Sequence, residues 1–138
     1  MVINGIDSAL RTGNCLQQSL SHLTGIPIQE IPNFHRMPHN QWRQILSSWL
    51  NSRGMELVEH QGEFVKDLHI ERLHIAIFRT YRKSIETWGP LHAVVRCGND
   101  IVFNPVIKRN EDVEYRYVAR ILDIKPRASR AVDGAYSQ

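Results

Sequence analysis

The sequence contains little cysteine, since Cys15 and Cys97 are the only two among 138 residues. We also expect no secretion signal, because residues 1–5 have no basic start and lead into no long apolar run. Thiols stay reduced inside cells, so we expect a cytoplasmic protein whose fold does not depend on a disulfide. With 42% hydrophobic residues, the chain is long enough to bury a core without disulfides or metal.

Long hydrophobic runs are absent as well. Nothing approaches the roughly 18 consecutive apolar residues that a membrane helix needs, so no membrane span is expected. Positive charge is in slight excess, with 17 basic and 14 acidic residues and a net charge of +3. Basic side chains gather only at Arg79, Arg82 and Lys83 and in the C-terminal tail. Nucleic-acid binding is therefore not favoured, and it stays a weaker alternative.

The sequence has no convincing set of metal ligands. His35 and His39 are four residues apart, a spacing that suits zinc on a helix. Pro38 lies between them and argues against a helix, and no further ligand pair follows. We therefore expect no metal and no cofactor.

The recognisable patterns are two amphipathic helical segments followed by strands. The first helix is predicted to begin at Asn14, a good N-cap residue, and to end at Gly25. The second is predicted to begin near 38–40 and to end at Gly54, with its apolar side chains on one face. Strands are predicted at 55–59, 73–81, 91–96, 101–105 and 115–124, whereas the pattern of residues 64–73 is ambiguous.

Helices that precede strands predict the fold class and the domain organisation. We expect one α+β domain over residues 1–124, with N-terminal helices packed on a C-terminal antiparallel sheet. Residues 125–138 have few apolar residues and are predicted to form a flexible tail. The oligomeric state does not follow from these patterns.

Cys15 is the first candidate for chemistry. The helix pattern places it in the first turn, where unpaired backbone N–H groups and the helix dipole favour a thiolate. The competing interpretation is an ordinary core thiol, because free cysteine is among the most buried residue types. A partner that can act as a base would favour the catalytic interpretation.

The pair of strands around Gly98-Asn99-Asp100 offers such a partner. If these three residues form the loop, Val94 lies opposite Asn104, and His92 and Asn104 share one face as diagonal neighbours. A two-residue loop would instead put them on opposite faces. The competing interpretation makes His92 a plain strand residue and Asn104 a turn former before Pro105.

On a shared face, the Asn104 amide oxygen could accept the Nδ1–H of His92 and leave Nε2 directed at a thiol. A cysteine protease needs this arrangement, in which a base activates the nucleophile and a third group fixes the base. The predicted catalytic residues are therefore Cys15, His92 and Asn104.

Several short motifs resemble a family of small bacterial and phage proteins. Gly13-Asn14-Cys15 opens a helix, and residues 23–34 form a connector with Gly25-Ile26-Pro27 near its start. His92-Ala93-Val94-Val95 and Asn104-Pro105 follow in the same order as in that family. The family is similar to the papain-like cysteine peptidases, in particular the peptidase domains that trim bacteriocin leaders. The resemblance covers about residues 12–106.

This resemblance implies a papain-like fold and a thiol peptidase or acyl transferase in a bacterial or phage-infected cytoplasm. It implies Cys15 as nucleophile, His92 as base, Asn104 as the residue that orients the base, and a peptide or protein as substrate. Papain-like enzymes usually carry a Gln before the cysteine that completes the oxyanion hole, and no Gln precedes Cys15. The Cys15 backbone N–H can still donate, and Asn4, Ser8 and Asn14 are candidate substitute donors, although none of them matches the motif. Trp88 either borders a substrate groove or has only a packing role against its neighbours.

The missing Gln also supports a different class of function. Loss of one oxyanion donor typically costs on the order of 100- to 1000-fold in rate. The alternative is therefore a catalytically weak or inactive papain-like scaffold that binds another protein, for example as a phage-encoded inhibitor.

Overall fold

The structure is a computed structural model that describes residues 14–34, 37–38, 41–105 and 111–127. His35, His39, the lead-in 1–13 and all but the start of the predicted tail lie outside the described residues. Within these residues, two α-helices and a five-stranded antiparallel sheet follow one another. The predicted α+β class is therefore confirmed.

Both predicted helices are present, and each buries one apolar stripe. Helix α1 spans Asn14–Thr24 and buries Leu16 and Leu20, while helix α2 spans Trp42–Ser52 and buries Leu46 and Leu50. Gly25 and Gly54 follow the two helices at φ angles of 78° and 79°, a left-handed conformation that glycine adopts without strain.

The starts of the helices differ from the prediction. Helix α2 begins at Trp42, and Gln41 rather than a residue of 38–40 precedes it. Asn14 is the first described residue of α1 and already belongs to the helix, and its Oδ1 accepts a hydrogen bond from Gln18 Nε2 at 3.0 Å. Within the described residues, no helix is long and apolar enough to cross a membrane.

The five strands form one sheet. They are β1 (Met55–Gln61), β2 (Leu73–Arg82), β3 (Thr87–Cys97), β4 (Asp100–Phe103) and β5 (Val113–Pro126), in the spatial order β1-β5-β2-β3-β4. All described pairings are antiparallel. A 3-10 helix (Glu63–Asp67) connects β1 to β2 where the sequence pattern was ambiguous.

The two helices cover one face of the sheet. Their buried side chains pack with Ile75 and Leu122 and with the odd-numbered positions Ala93 and Val95 of β3. A smaller cluster of Val65, Ile70 and Ile121 covers part of the opposite face. Because side chains alternate along a strand, neighbouring residues of β3 point to different faces.

Of the two loop lengths that the sequence left open, the β3–β4 hairpin has the two-residue turn rather than the three-residue loop. Cys97 pairs with Asp100, so the turn consists of Gly98 and Asn99 alone, and Gly98 adopts a φ angle of 61°. Farther along, Val95 pairs with Phe103, because a β-bulge at Val102 adds one residue to β4. The bulge restores the register that places Asn104 on the same face as His92, which the two-residue turn alone would have prevented.

Candidate active site

Cys15 is held at the edge of strand β3. Its side chain is 3% exposed, and Sγ accepts a hydrogen bond from the backbone N–H of Ala93 at 3.5 Å. One turn later on α1, the buried Ser19 hydroxyl donates to the carbonyl oxygen of Ala93 at 3.1 Å. Two side chains of one helix thus satisfy both backbone groups of one strand residue.

The end of β4 explains why Ala93 can bind a helix. The pairing of β3 with β4 ends at Val95 and Phe103, so Ala93 lies beyond the last paired position. A buried backbone N–H and C=O need partners, and Cys15 and Ser19 supply them. The short β4 strand therefore gives α1 access to the chain segment that contains His92.

His92 and Asn104 are in direct contact. His92 is fully buried, and its Nε2 lies 2.7 Å from the Asn104 amide oxygen. The predicted contact is present, but the predicted ring nitrogen was wrong, because Nε2 rather than Nδ1 faces Asn104. Since an amide oxygen only accepts, Nε2 carries the proton of the neutral ring and Nδ1 holds the lone pair. Nδ1 is the nitrogen available to act as a base.

Tyr115 completes this cluster and was not found from the sequence. The Asn104 Nδ2 group donates to the Tyr115 hydroxyl at 3.0 Å, which directs the amide oxygen towards His92. The centre of the Tyr115 ring lies 5.2 Å from that of the His92 ring. Phe78 stacks on the Tyr115 ring, with the two ring centres 5.3 Å apart. No motif marks Tyr115, because its strand reaches His92 only through the order of strands in the sheet.

The thiol and the imidazole are near one another but are not hydrogen-bonded. Because Sγ contacts the nitrogen that follows His92, it lies within about 6 Å of the His92 Cα atom. Ala93 faces the helices, whereas the His92 side chain alternates to the other side. The buried Nδ1 of His92 has no hydrogen-bond partner among the described residues.

Burial sets the protonation of both groups. It raises the pKa of Cys15 above its ordinary value, although the backbone N–H groups of Ala93, Leu16 and Cys15 lower it in part. Burial lowers the pKa of His92, and the Asn104 hydrogen bond raises it in part. The predicted preference for a thiolate at the helix start is therefore outweighed, and at neutral pH the resting groups are thiol and neutral imidazole.

A pocket of about 390 Å³ opens beside Cys15. Its apolar lining comes from α1, the segment before α2, the start of α2, and strands β2 and β3. The contributors include Leu16, Phe34, Met37, Trp42, Ile77 and Leu91. Arg79 is the one charged side chain among the described residues that line it. His92 does not line this pocket, because it faces Asn104 and Tyr115 instead.

Asn14 and Trp88, the two predicted substrate or oxyanion residues, are not among the residues that line this pocket. The Asn14 amide oxygen is engaged by Gln18, which leaves the Nδ2 group as its donor end. Trp88 does not line the pocket. It is 45% exposed and contacts Tyr81 and Tyr117, with the Arg79 guanidinium 5.3 Å from its ring centre. The roles assigned to both residues stay predictions.

The second cysteine lies elsewhere in the fold. Cys97 Sγ donates to the Glu71 carbonyl oxygen at 2.6 Å, and both cysteines are free thiols. The part of the chain that the structure describes contains no cluster of three or more metal-ligating side chains.

No family model, curated protein or solved structure matches the chain.

Proposed function

We propose that this chain is a thiol hydrolase of the papain-like cysteine peptidase type. Cys15 is the nucleophile, His92 the base and Asn104 the residue that orients the base. The observation that supports the proposal best is the 2.7 Å contact of His92 Nε2 with Asn104 beside a helix-start thiol. A base fixed in one tautomer by a third group is what a cysteine nucleophile requires.

The proposed reaction begins from the neutral pair. His92 Nδ1 takes the proton of the Cys15 thiol as the sulfur attacks an amide carbonyl carbon of the substrate. The proton then passes from Nδ1 to the departing amine, and a thioester remains on Cys15. Water, deprotonated by Nδ1, hydrolyses the thioester, releases the acid and restores the thiol.

Substrate binding has to bring the thiol and Nδ1 into contact before this chemistry can occur. Catalytic hydrogen bonds are often long or misaligned without substrate and shorten in the complex. The Cys15 backbone N–H and the Asn14 Nδ2 group are the donors proposed for the carbonyl oxygen. Both belong to the first turn of α1, whose positive end favours developing negative charge.

Active-site labelling tests the proposal. A peptide chloromethyl ketone should alkylate Cys15 in the intact protein, as mass mapping would show, and Cys15→Ala should abolish both labelling and peptide hydrolysis. Cys97→Ala is the matched control and should retain both, because that thiol binds a backbone carbonyl away from the site. If Cys15 labels no faster than the same thiol in the unfolded chain, the hydrolase proposal fails.

A second candidate function is protein binding by an inactive scaffold. The neutral thiol, the absent thiol–imidazole hydrogen bond and the exposed aromatic side chains of Trp88 and Tyr117 favour it. Under this alternative, the Cys15→Ala protein would keep its full biological effect. Loss of that effect together with loss of labelling would support the enzyme instead.

A further inference from the structure

The pocket beside Cys15 combines an apolar lining with a single cation. Apolar side chains surround about 390 Å³ of space, and Cys15 itself forms part of the wall. This volume lies at the lower end of the range for ligand pockets, which suits one large apolar side chain and its backbone. An apolar group that enters from water would gain hydrophobic free energy there.

Arg79 lies on strand β2, directly opposite Leu91 of β3, and its side chain also lines the pocket. The Trp88 ring lies against one part of the guanidinium, with its centre 5.3 Å from Cζ. No carboxylate among the described residues forms an ion pair with Arg79. Stacking on an aromatic ring uses the flat face of the guanidinium and leaves its N–H edge available for an acceptor.

The neighbouring Arg116 differs from Arg79 in having a carboxylate partner. Arg116 lies over the Tyr81 ring in the same aromatic group, but it forms an ion pair with Glu114. Its positive charge is therefore already balanced on the protein, whereas that of Arg79 is balanced by no described carboxylate. The arginine whose charge is available is the one that borders the thiol pocket.

We propose, on the basis of the hydrolase function proposed above, that the pocket selects peptides with a large apolar residue next to a carboxylate. The apolar side chain occupies the pocket beside Cys15, and the carboxylate accepts hydrogen bonds from the Arg79 guanidinium. The carboxylate belongs either to an adjacent acidic side chain or to the C-terminus of the peptide. A carboxylate fits better than a phosphate, because phosphate sites usually gather several cations. Arg79 is the only cation among the described residues that line this pocket.

Binding to the Cys15→Ala protein tests this selectivity without any chemistry. The probes are N-acetyl-Phe-Glu-amide and N-acetyl-Phe-Gln-amide, compared by NMR titration of the full chain. We expect about tenfold tighter binding of the Glu peptide, the lower limit for hydrogen bonds to a charged group. N-acetyl-Ala-Glu-amide should bind more weakly than the Phe peptide. N-acetyl-Phe and its amide then distinguish a terminal carboxylate from an acidic side chain.

Arg79→Gln should remove the preference for Glu over Gln, whereas Arg116→Gln, the matched control, should keep it. Equal affinity within both pairs in the parent Cys15→Ala protein, the Glu peptide against the Gln peptide and N-acetyl-Phe against its amide, would overturn the proposal. A preference that survives Arg79→Gln would overturn it too, because another cation would then bind the carboxylate.

The selectivity and the hydrolase proposal fail in different ways. Peptide electrophiles could modify Cys15 rapidly while neither binding nor labelling distinguishes a carboxylate peptide from its amide counterpart. In that case the selectivity proposal is wrong and the hydrolase proposal is retained. If the preference depends on Arg79 while Cys15 resists every peptide electrophile, the pocket binds such peptides and the hydrolase proposal is wrong.

Discussion

Asn104 provides the sharpest test of the site, because two substitutions there should shift one pKa in opposite directions. Asn104→Ala removes the acceptor 2.7 Å from His92 Nε2, which helps to hold the pKa of His92 up against burial. The pKa of His92 should therefore fall further. Asn104→Asp places a carboxylate at the same position, and opposite charge raises the pKa of a histidine. NMR titration of the His92 ring protons would measure both shifts.

The expected effect of Asn104→Ala on stability is modest. One net hydrogen bond contributes on the order of 1 kcal/mol, and Asn104 is exposed, so water can reach the vacated position. For a domain of this size, a loss of about 1 kcal/mol lowers Tm by roughly 2–4 °C. Thermal unfolding should show a decrease of that size, and the titration of His92 is the more decisive measurement.

Two controls separate the contact from general effects of substitution. Asn99→Ala changes an exposed residue in the turn of the same hairpin and should leave the His92 titration as it is. Tyr115→Phe keeps the ring beside His92 but removes the acceptor for Asn104 Nδ2, so it should lower the pKa of His92 in the same direction as Asn104→Ala. If Asn104→Ala and Asn104→Asp both leave that pKa unchanged, the two residues are not in contact and the proposed triad is wrong.

Two further predictions concern packing and pH. Ser19→Ala removes the hydroxyl that donates to Ala93 and leaves a buried carbonyl without its partner, so urea unfolding should show a loss of about 1–3 kcal/mol. The exposed Ser52→Ala should cost much less, and equal losses would contradict the role of Ser19 in holding α1 to β3. Burial lowers the pKa of both His92 and His74 below the unfolded value, so the unfolded chain binds more protons in acid. Stability should be full above about pH 6.5 and should fall as the pH drops through the lowered pKa values, whereas Tm that stays constant from pH 7 to pH 5 would refute this.

The local patterns of the sequence predicted the elements better than their ends. Leucine spacing and the glycines at positions 25 and 54 were enough to predict both helices, because these signals act within a few residues. The connector 63–67 was ambiguous, since a short 3-10 helix has no strong period of its own.

The hairpin shows where a local pattern was insufficient. The sequence left two loop lengths open, and only the three-residue loop placed His92 and Asn104 on one face. The turn has two residues, and the β-bulge at Val102 compensates for the difference. A bulge depends on how two strands pack in the whole sheet, so the residues of the turn do not reveal it. His92 and Asn104 therefore share a face because of a two-residue turn and a bulge, and not because of a three-residue loop.

The sequence by itself determined the α+β class and the position of Cys15 near the start of a helix, and it offered His92 and Asn104 as candidate neighbours across one hairpin. Each of these rests on short-range spacing. Only the tertiary structure decided that Nε2 faces Asn104, that Tyr115 holds the amide, and that burial keeps the thiol neutral. These features depend on strand order and on burial between layers, which bring together residues as far apart as Cys15, Ala93 and Tyr115.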